Sequence, residues 1–114
     1  TGVPRDPVSY RGTTYEIGQA NNALIYPGLG LGSMAVDAKL VTDEMISAAA
    51  HSLGAFLTPE AKGAAVIPPV TRLIEFSAAV AVAVAECAVK QGLNRRAVAD
   101  VKAAVDEMVW KAEY

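Results

Sequence analysis

The amino-acid sequence predicts a mostly α-helical chain of about four helices and one short strand. Hydrophobic residues make up 53% of the 114 residues and charged residues 19%, and most apolar residues recur at the three- and four-residue spacing of a buried helix face. Residues that favour helix N-caps stand before several of these segments. A chain of this size with so few charges is expected to cover part of its apolar surface with a second copy, another domain or sequence outside this chain.

Residues 1–18 are predicted to form a connector and a short strand. The segment "TGVPRDPV" indicates an extended connector rather than a signal peptide or an anchor, because residues before proline avoid the helical region. Arg11 and Gly12 are typical of a turn, and the β-branched and aromatic residues from Thr13 to Ile17 favour a strand. Since the chain starts at Thr1 and not at methionine, we expect it to be part of a longer protein.

Residues 19–92 are predicted to hold the core helices. The first begins near Asn22 and has Pro27 close to its first turn. It contains three glycines, Gly28, Gly30 and Gly32. Each glycine weakens a helix by about 1 kcal/mol relative to alanine, so these glycines predict that the helix backbone packs closely against a neighbour.

The second helix is predicted over Asp43 to Phe56. Thr42 is a favourable N-cap, and Asp43 and Glu44 place negative charge where the helix dipole favours it. After this helix, "TPEAKG" predicts a short helical turn from Thr58 to Gly63, and "AAVIPPV" predicts an extended chain.

The longest helix is predicted from about Val70 to Gln91, ending at Gly92. Its middle is apolar on every side, which predicts a central helix that is buried nearly all round. One side of it comprises Val70, Ile74, Ser77, Ala81, Val84 and Ala88.

Residues 93–114 are predicted to form an amphipathic helix and a tail. Asn94 can cap this helix. Its apolar stripe comprises Val98, Val101, Val105 and Met108. Trp110 is expected to anchor the chain end through its large apolar side chain.

Charge and hydropathy exclude two classes of partner. A formal net charge of −2 and a pI near 5.3 provide no basic field for phosphates, so nucleic acid is not expected as a partner. The most apolar run, Phe76 to Ala85, falls well short of the roughly 20 residues that span a bilayer, so no membrane is expected either. The single cysteine, Cys87, predicts a buried thiol and is compatible with a reducing, cytoplasmic setting.

Several polar residues are predicted to serve structure rather than catalysis. The run "GLGLGS" matches neither common phosphate-loop spacing. His51 has no second histidine or cysteine at ligand spacing, so this chain alone predicts no metal site, and the ring is expected to be partly buried and bonded to a backbone carbonyl. The acidic pairs Asp43-Glu44 and Asp106-Glu107 suit a helix start and a polar face, and neither indicates an acid-base pair in a pocket. No catalytic residue is assigned.

Asn21 and Asn22 are the strongest candidate binding residues. Each carboxamide offers two donors and an acceptor, and a position at a helix start adds backbone N–H groups and the positive end of the dipole. This pattern suits a ligand that carries carboxylate and hydroxyl groups. A purely local role stays open, because asparagine commonly caps a helix without any ligand.

The segment "YEIGQANNALIYPGLGLG" resembles one that malic enzymes carry near their C-terminal end, usually as "GQGNN" followed by an aromatic residue and then "PG". The matching positions here are Gly18, Gln19, Ala20, Asn21, Asn22, Tyr26, Pro27 and Gly28. The similarity continues through "VTDEMISAAAHSL", "TPEAKG" and "PPV", and it covers about residues 1–114. Ala20 in place of the usual glycine, together with the closing "WKAEY", resembles the malolactic branch of the family.

The resemblance implies an enzyme that uses NAD and Mn²⁺ or Mg²⁺ to act on L-malate, as a homo-oligomer. Malolactic members produce L-lactate and carbon dioxide, whereas malic enzymes release pyruvate and reduced cofactor. Residues 1–114 would be the C-terminal portion of a Rossmann-type α/β NAD-binding domain. The metal ligands, the acid-base residues and the dinucleotide glycine loop would lie upstream, so this chain alone would be inactive.

The resemblance also assigns roles to the glycine–glutamine–asparagine segment. Asn21 and Asn22 would bind the substrate carboxylate and lie beside the nicotinamide, with Gly18 and Gln19 shaping the approach. Two alternatives remain at this point: an NAD-dependent malic enzyme, and a free-standing helical interaction module whose asparagines only cap a helix.

Overall fold

A computed structural model describes residues 2–57, 61–111 and 113. It contains two strands, β1 (Val8–Tyr10) and β2 (Thr13–Tyr15), and four α-helices, α1 (Tyr26–Ala35), α2 (Asp43–Phe56), α3 (Leu73–Lys90) and α4 (Val101–Met108). Short 3-10 turns at Asn22–Leu24 and Val70–Arg72 precede α1 and α3. The predicted mostly helical chain of about four helices is confirmed.

Strands β1 and β2 form an antiparallel hairpin in which Tyr10 pairs with Thr13. Arg11 and Gly12 form the loop with positive φ angles of 48° and 78°, the backbone that two-residue hairpin loops need to match the twist of their strands. The predicted strand from Thr13 to Ile17 is confirmed over Thr13–Tyr15. Its partner, Val8–Tyr10, lies partly in the segment predicted as a connector, because proline restricts only the residues up to Pro7 and leaves Val8 free to pair.

Helix α3 lies at the centre of the fold, and α1, α2 and α4 all pack against it. The largest fully buried side chains are Phe76, Met45, Val36, Val80, Val84 and Val105. The predicted helix from Val70 to Gln91 is confirmed, with its first turn in 3-10 geometry. The prediction that it is buried nearly all round is wrong at its N-terminal end, where the side chain of Ile74 is 84% exposed.

Two of the three glycines of α1 allow close packing against α3. A Cβ atom added to Gly28 would lie 2.6 Å from the Cβ of Val80, and one added to Gly32 would lie 2.3 Å from the carbonyl oxygen of Ala81. These distances leave no room for a side chain. The predicted close packing is therefore confirmed at Gly28 and Gly32 and is wrong at Gly30, where an added Cβ meets no atom within 4 Å.

Helix α2 has the bounds that its local signals predict. The side-chain oxygen of Thr42 accepts a hydrogen bond of 3.2 Å from the backbone N–H of Met45, which satisfies one of the free donors at the helix start. The predicted turn from Thr58 to Gly63 falls partly on residues 58–60, which lie outside the described residues. Ala64 N donates to Ala61 O at 3.1 Å and closes a turn after that gap.

The predicted start of the last helix is wrong. Asn94 is instead paired with Ala38 in an isolated antiparallel bridge, and α4 begins at Val101 with Asp100 as its N-cap, whose side chain accepts from Ala103 N at 3.1 Å. The apolar residue Val98 consequently lies before the helix. Trp110 does not anchor the chain end within this chain, because its side chain is 77% exposed.

Candidate functional site

Asn21 is held in place by a hydrogen bond within its own turn. Its backbone is extended, and its Oδ1 accepts a hydrogen bond of 2.9 Å from the N–H of Ala23. The carbonyl oxygen of Asn21 also accepts from Leu24 N at 3.0 Å. Because the cap occupies Oδ1, the Nδ2 amide is the group through which this side chain can bind an acceptor.

Asn22 begins the 3-10 turn directly after Asn21, and both side chains are exposed. Together with Gly2 and Ala20 they line a shallow surface pocket of about 210 Å³. None of these four residues has an ionisable side chain, so the pocket offers amide donors and acceptors without a formal charge.

The expected help from a helix dipole at the asparagine pair is smaller than the sequence suggests. The main helix α1 begins only at Tyr26, and a single 3-10 turn separates it from Asn22. Since the macrodipole is concentrated at the ends of long helices and falls off within a turn, a ligand at Asn21 and Asn22 would be bound mainly through hydrogen bonds.

Gly18 and Gln19 position the chain that leads into Asn21 and Asn22. A Cβ on Gly18 would lie 3.2 Å from the Cβ of Ile67, so glycine lets this backbone lie close to the loop before α3. The side-chain amide of Gln19 donates to the carbonyl oxygen of Gly2, which holds the start of the chain against the asparagine segment. This long-range contact has no local sequence signal, and sequence reasoning missed Gly2 as a lining residue.

Glu16 holds the chain before Asn21 against residues 63–65 through two hydrogen bonds. Its backbone N–H donates to Gly63 O at 2.7 Å, and its carboxylate accepts from Ala65 N at 3.3 Å. Residues 63–65 therefore act as a backbone support for the chain that leads into Asn21 and Asn22.

The glycine run does not form a phosphate loop. Gly28, Gly30 and Gly32 lie inside α1, where backbone N–H groups beyond the first turn are used by the helix itself. The expectation that this stretch serves packing is confirmed for the two glycines that face α3.

His51 has the backbone hydrogen bond that was expected, but not the burial. Its Nδ1 lies 2.8 Å from the carbonyl oxygen of Ser47, and the side chain is exposed on α2. Cys87 is half-buried rather than buried. Neither residue lies in the pocket lined by Asn21 and Asn22.

The acidic pairs serve helix ends and surface ion pairs. Glu44 lies in the first turn of α2, where its own backbone N–H and then Gln91 lower the pKa of its carboxyl. Asp106 lies 2.6 Å from Lys102 one turn earlier on α4, and this hydrogen bond raises the pKa of the lysine. These side chains are exposed and lie outside the asparagine pocket.

The described residues do not supply a metal site. Across residues 2–57, 61–111 and 113, no three histidine, cysteine, aspartate or glutamate side chains are grouped so that they could hold a metal ion. No helix in those ranges is long and apolar enough to cross a membrane.

Comparison with known proteins identifies the relatives of this chain. The family model for the NAD-binding domain of malic enzymes matches residues 1–89. Over all 114 residues the chain is 54% identical to a malolactic enzyme of Leuconostoc mesenteroides and 53% identical to one of Lactococcus lactis subsp. lactis. It is 44% identical to NAD-dependent malic enzyme 3 of Bacillus subtilis.

These matches cover the whole of this chain but only part of each relative. The chain spans 21% of the length of the two malolactic enzymes and 20% of the malic enzyme. About four fifths of each relative therefore has no counterpart among residues 1–114.

Proposed function

Because the chain belongs to the malic enzyme family, in its NAD-binding domain, we propose that it is the C-terminal portion of an NAD- and Mn²⁺-dependent malolactic enzyme that converts L-malate to L-lactate and carbon dioxide. One observation carries the choice of reaction. Identity over all 114 residues is 53–54% with two malolactic enzymes and 44% with an NAD-dependent malic enzyme. In the whole enzyme these helices would complete a Rossmann-type α/β domain.

The part of the site that this chain contributes is the asparagine pair. Asn21 presents two N–H donors from Nδ2 while Oδ1 is held by the cap to Ala23, so its donors are oriented before the ligand arrives. Positioned donors of this kind suit a carboxylate of malate. Asn22, exposed and next along the chain, would complete the contact beside the nicotinamide.

The remaining chemistry would come from outside residues 1–114. NAD would accept a hydride from malate and return it to the product, and Mn²⁺ or Mg²⁺ would polarise the carbonyl for loss of carbon dioxide. The described residues hold no metal-ligand cluster, and two of the three glycines of α1 are used in packing. We accordingly assign to this chain the orientation of the substrate, and we expect it to be inactive alone.

The first test is an assay of the longer parent polypeptide with malate, NAD and Mn²⁺, reading lactate, pyruvate and reduced cofactor. Lactate that accumulates as malate disappears, without free reduced cofactor, supports the malolactic reaction. Pyruvate with reduced cofactor would assign the malic enzyme reaction instead. The absence of malate turnover would overturn both and favour a helical interaction module.

A pair of variants in the parent tests the role of Asn21. Aspartate caps helices as well as asparagine does, so Asn21→Asp keeps the cap while removing the Nδ2 donors and adding a negative charge. We expect it to lower kcat/KM for malate by about 100-fold, the usual loss when one positioned donor is removed, with an unchanged melting temperature.

Asn22→Ala tests the second carboxamide in the same assay, and Asn94→Ala is the matched control on an asparagine outside the pocket. We expect Asn22→Ala to lose activity and Asn94→Ala to keep it. Full activity of both Asn21→Asp and Asn22→Ala would show that the pair only shapes the turn.

A further inference from the structure

Residues 16–21 carry the chain from β2 to the asparagine pair, and their backbone has no regular secondary structure. The orientation of Asn21 therefore depends on the contacts that this segment makes with other parts of the chain. Glu16 supplies two of these contacts, both to the loop of residues 63–67 that leads towards α3. Residues 63–67 are called the support loop below.

Glu16 contacts the support loop through both its backbone and its side chain. The backbone N–H donates to Gly63 O at 2.7 Å, and the carboxylate Oε2 accepts from Ala65 N at 3.3 Å. A hydrogen bond to an ionised carboxylate is stronger than one between neutral groups. Because the two bonds reach loop positions that are two residues apart, they fix the direction of the chain at Glu16 as well as its position.

Close backbone contacts lie on both sides of Glu16. Gly63 has a positive φ of 88°, and a Cβ added to it would overlap the carbonyl oxygen of Thr14. A Cβ added to Gly18 would lie 3.2 Å from the Cβ of Ile67. The segment before Asn21 and the support loop therefore touch from Thr14 to Gly18, and a glycine stands at the closest point on each side.

The support loop is stiff and joined to the core. Ile67 is followed by Pro68 and Pro69; proline fixes its own φ and restricts the residue before it. Pro68 is buried, and the 3-10 turn at Val70–Arg72 then leads directly into α3. A segment held on this loop is consequently held relative to the central helix of the fold.

We propose that Glu16 is a positioning residue for the malate site, which holds residues 16–21 on the support loop and so aims the Nδ2 donors of Asn21 at the substrate carboxylate. This inference rests on the proposed function, because malate is the ligand assigned there. Asn21 is expected to contact a carboxylate that is present in both the substrate and the transition state. Misplacing its donors should therefore raise KM for malate and leave kcat nearly unchanged.

The kinetic test compares two substitutions of Glu16 in the parent enzyme. Glu16→Ala removes the acceptor for Ala65 N, and we expect KM for malate to rise about tenfold, within the roughly 100-fold that a 1 Å misplacement can cost. Glu16→Gln keeps a side-chain oxygen that accepts and should keep the KM of the unsubstituted parent. Glu86→Ala, on the exposed surface of α3, is the control. An unchanged KM in Glu16→Ala, or equal increases in both Glu16 variants, would overturn the proposal.

A double substitution tests whether Glu16 acts through Asn21. Residues that act through one another give losses that do not multiply. In a parent that already carries Asn21→Asp, Glu16→Ala should therefore raise KM for malate by less than about twofold. A full tenfold increase in that background would show that Glu16 acts independently of Asn21 and overturn the proposal.

Gly63 provides a second way to disturb the same contact. Gly63→Ala should raise KM for malate as Glu16→Ala does, because the new Cβ pushes the support loop away from Thr14. Gly92→Ala is the matched control, since Gly92 also has a positive φ, of 68°, but an added Cβ there meets no described atom within 4 Å. Equal effects of the two substitutions would assign the loss to backbone strain and contradict the proposed contact.

Hydrogen exchange measures the positioning without any turnover. The backbone N–H groups of Ala23, Leu24 and Ile25 are hydrogen-bonded within the turn that Asn21 and Asn22 begin. Mass spectrometry of the parent should show these amides exchanging about tenfold faster in Glu16→Ala and at the original rate in Glu16→Gln. Amides of the middle of α3 serve as the internal reference. Unchanged exchange in Glu16→Ala would overturn the proposal.

The two readouts let the positioning role and the proposed function fail separately. Faster exchange in a parent that does not turn over malate would remove the proposed reaction and support the role of Glu16 in ordering the asparagine turn. Malate turnover with unchanged exchange and unchanged KM in Glu16→Ala would support the reaction and overturn the role of Glu16.

Discussion

The middle of α3 and one side of its first turn are both apolar and are packed very differently. In the middle, Val80, Ala81 and Val84 are at most 1% exposed, because α1 and α2 cover them. In the first turn Phe76 is fully buried, whereas Ile74, two residues before it, is 84% exposed. Helix α3 therefore contributes both to the buried core and to an exposed apolar surface.

This difference shows what hydrophobic periodicity measures. An apolar face predicts that a residue will be covered, and it does not tell whether the same chain supplies the cover. The middle of α3 is covered within the chain by glycines of α1 and by Met45 and Ala49 of α2. In the first turn Phe76 packs against Phe56, but the side chain of Ile74 stays exposed, as expected of a domain whose relatives are about five times longer.

The largest expected effect compares Phe76 with Ile74, two residues apart on α3. Phe76 is fully buried and packs edge-on against Phe56 with ring centroids 5.9 Å apart. Phe76→Ala should lower the free energy of unfolding of this chain by about 3–5 kcal/mol, whereas Ile74→Ala should change it by about 0.5 kcal/mol or less. Urea unfolding measures both, and equal losses would mean that the side chain of Ile74 is as well packed as that of Phe76.

The next effect tests the packing of α1 against the middle of α3 through two glycines of α1. Gly32→Ala brings a Cβ to 2.3 Å from Ala81 O, so the helices must separate, and we expect a loss of about 1–3 kcal/mol. Gly30→Ala meets nothing within 4 Å and should gain about 1 kcal/mol from helix propensity. Thermal unfolding distinguishes the two, and a stabilising Gly32→Ala would contradict the close approach of α1 and α3.

Local signals account for the parts of the fold that the sequence predicts well. The bounds of α2 follow from a cap and acidic residues that act within one turn, and the hairpin loop follows from Arg11 and Gly12. Asn94 has the same capping chemistry as Thr42, yet its backbone pairs with Ala38, which is 56 residues away. A contact at that separation competes with a cap and leaves no trace in the local pattern.

The candidate site also has some features that the sequence predicts and others that it does not. The asparagine pair is visible in the sequence because carboxamides at a turn have recognisable chemistry. The contact of Gln19 with Gly2, and the lack of a hydrogen-bond partner for the Ser77 hydroxyl among the described residues, depend on which segments meet in space. Ser77 was predicted only as one member of an apolar stripe, since nothing in its neighbours indicates that its hydroxyl lacks a partner.

A smaller effect concerns α4, which packs against α1 and α3. Asp100 caps this helix by accepting from Ala103 N, so Asp100→Ala should lower the free energy of unfolding by about 1 kcal/mol. Asn94→Ala should have a smaller effect, because the side chain of Asn94 donates to Arg96 O in the segment before α4 and is not the N-cap of that helix. Denaturant titration of both variants measures the two losses. A larger loss of unfolding free energy for Asn94→Ala than for Asp100→Ala would place the helix start where the sequence alone predicts it.

The smallest expected effect is the titration of Glu44, where α2 meets the C-terminal end of α3. Its own backbone N–H, followed by the side chain of Gln91, lowers the pKa of this carboxyl. A lowered pKa in the folded state means that the stabilisation is present above the pKa of the unfolded chain and is lost as the pH falls through the folded value. NMR titration should therefore place the pKa of Glu44 below its ordinary value of 4.5. Gln91→Ala should raise the pKa only in part, because the backbone contribution is larger and stays in place. A full return to the ordinary value would mean that the side chain of Gln91, and not the backbone N–H at the helix start, lowers the pKa of Glu44.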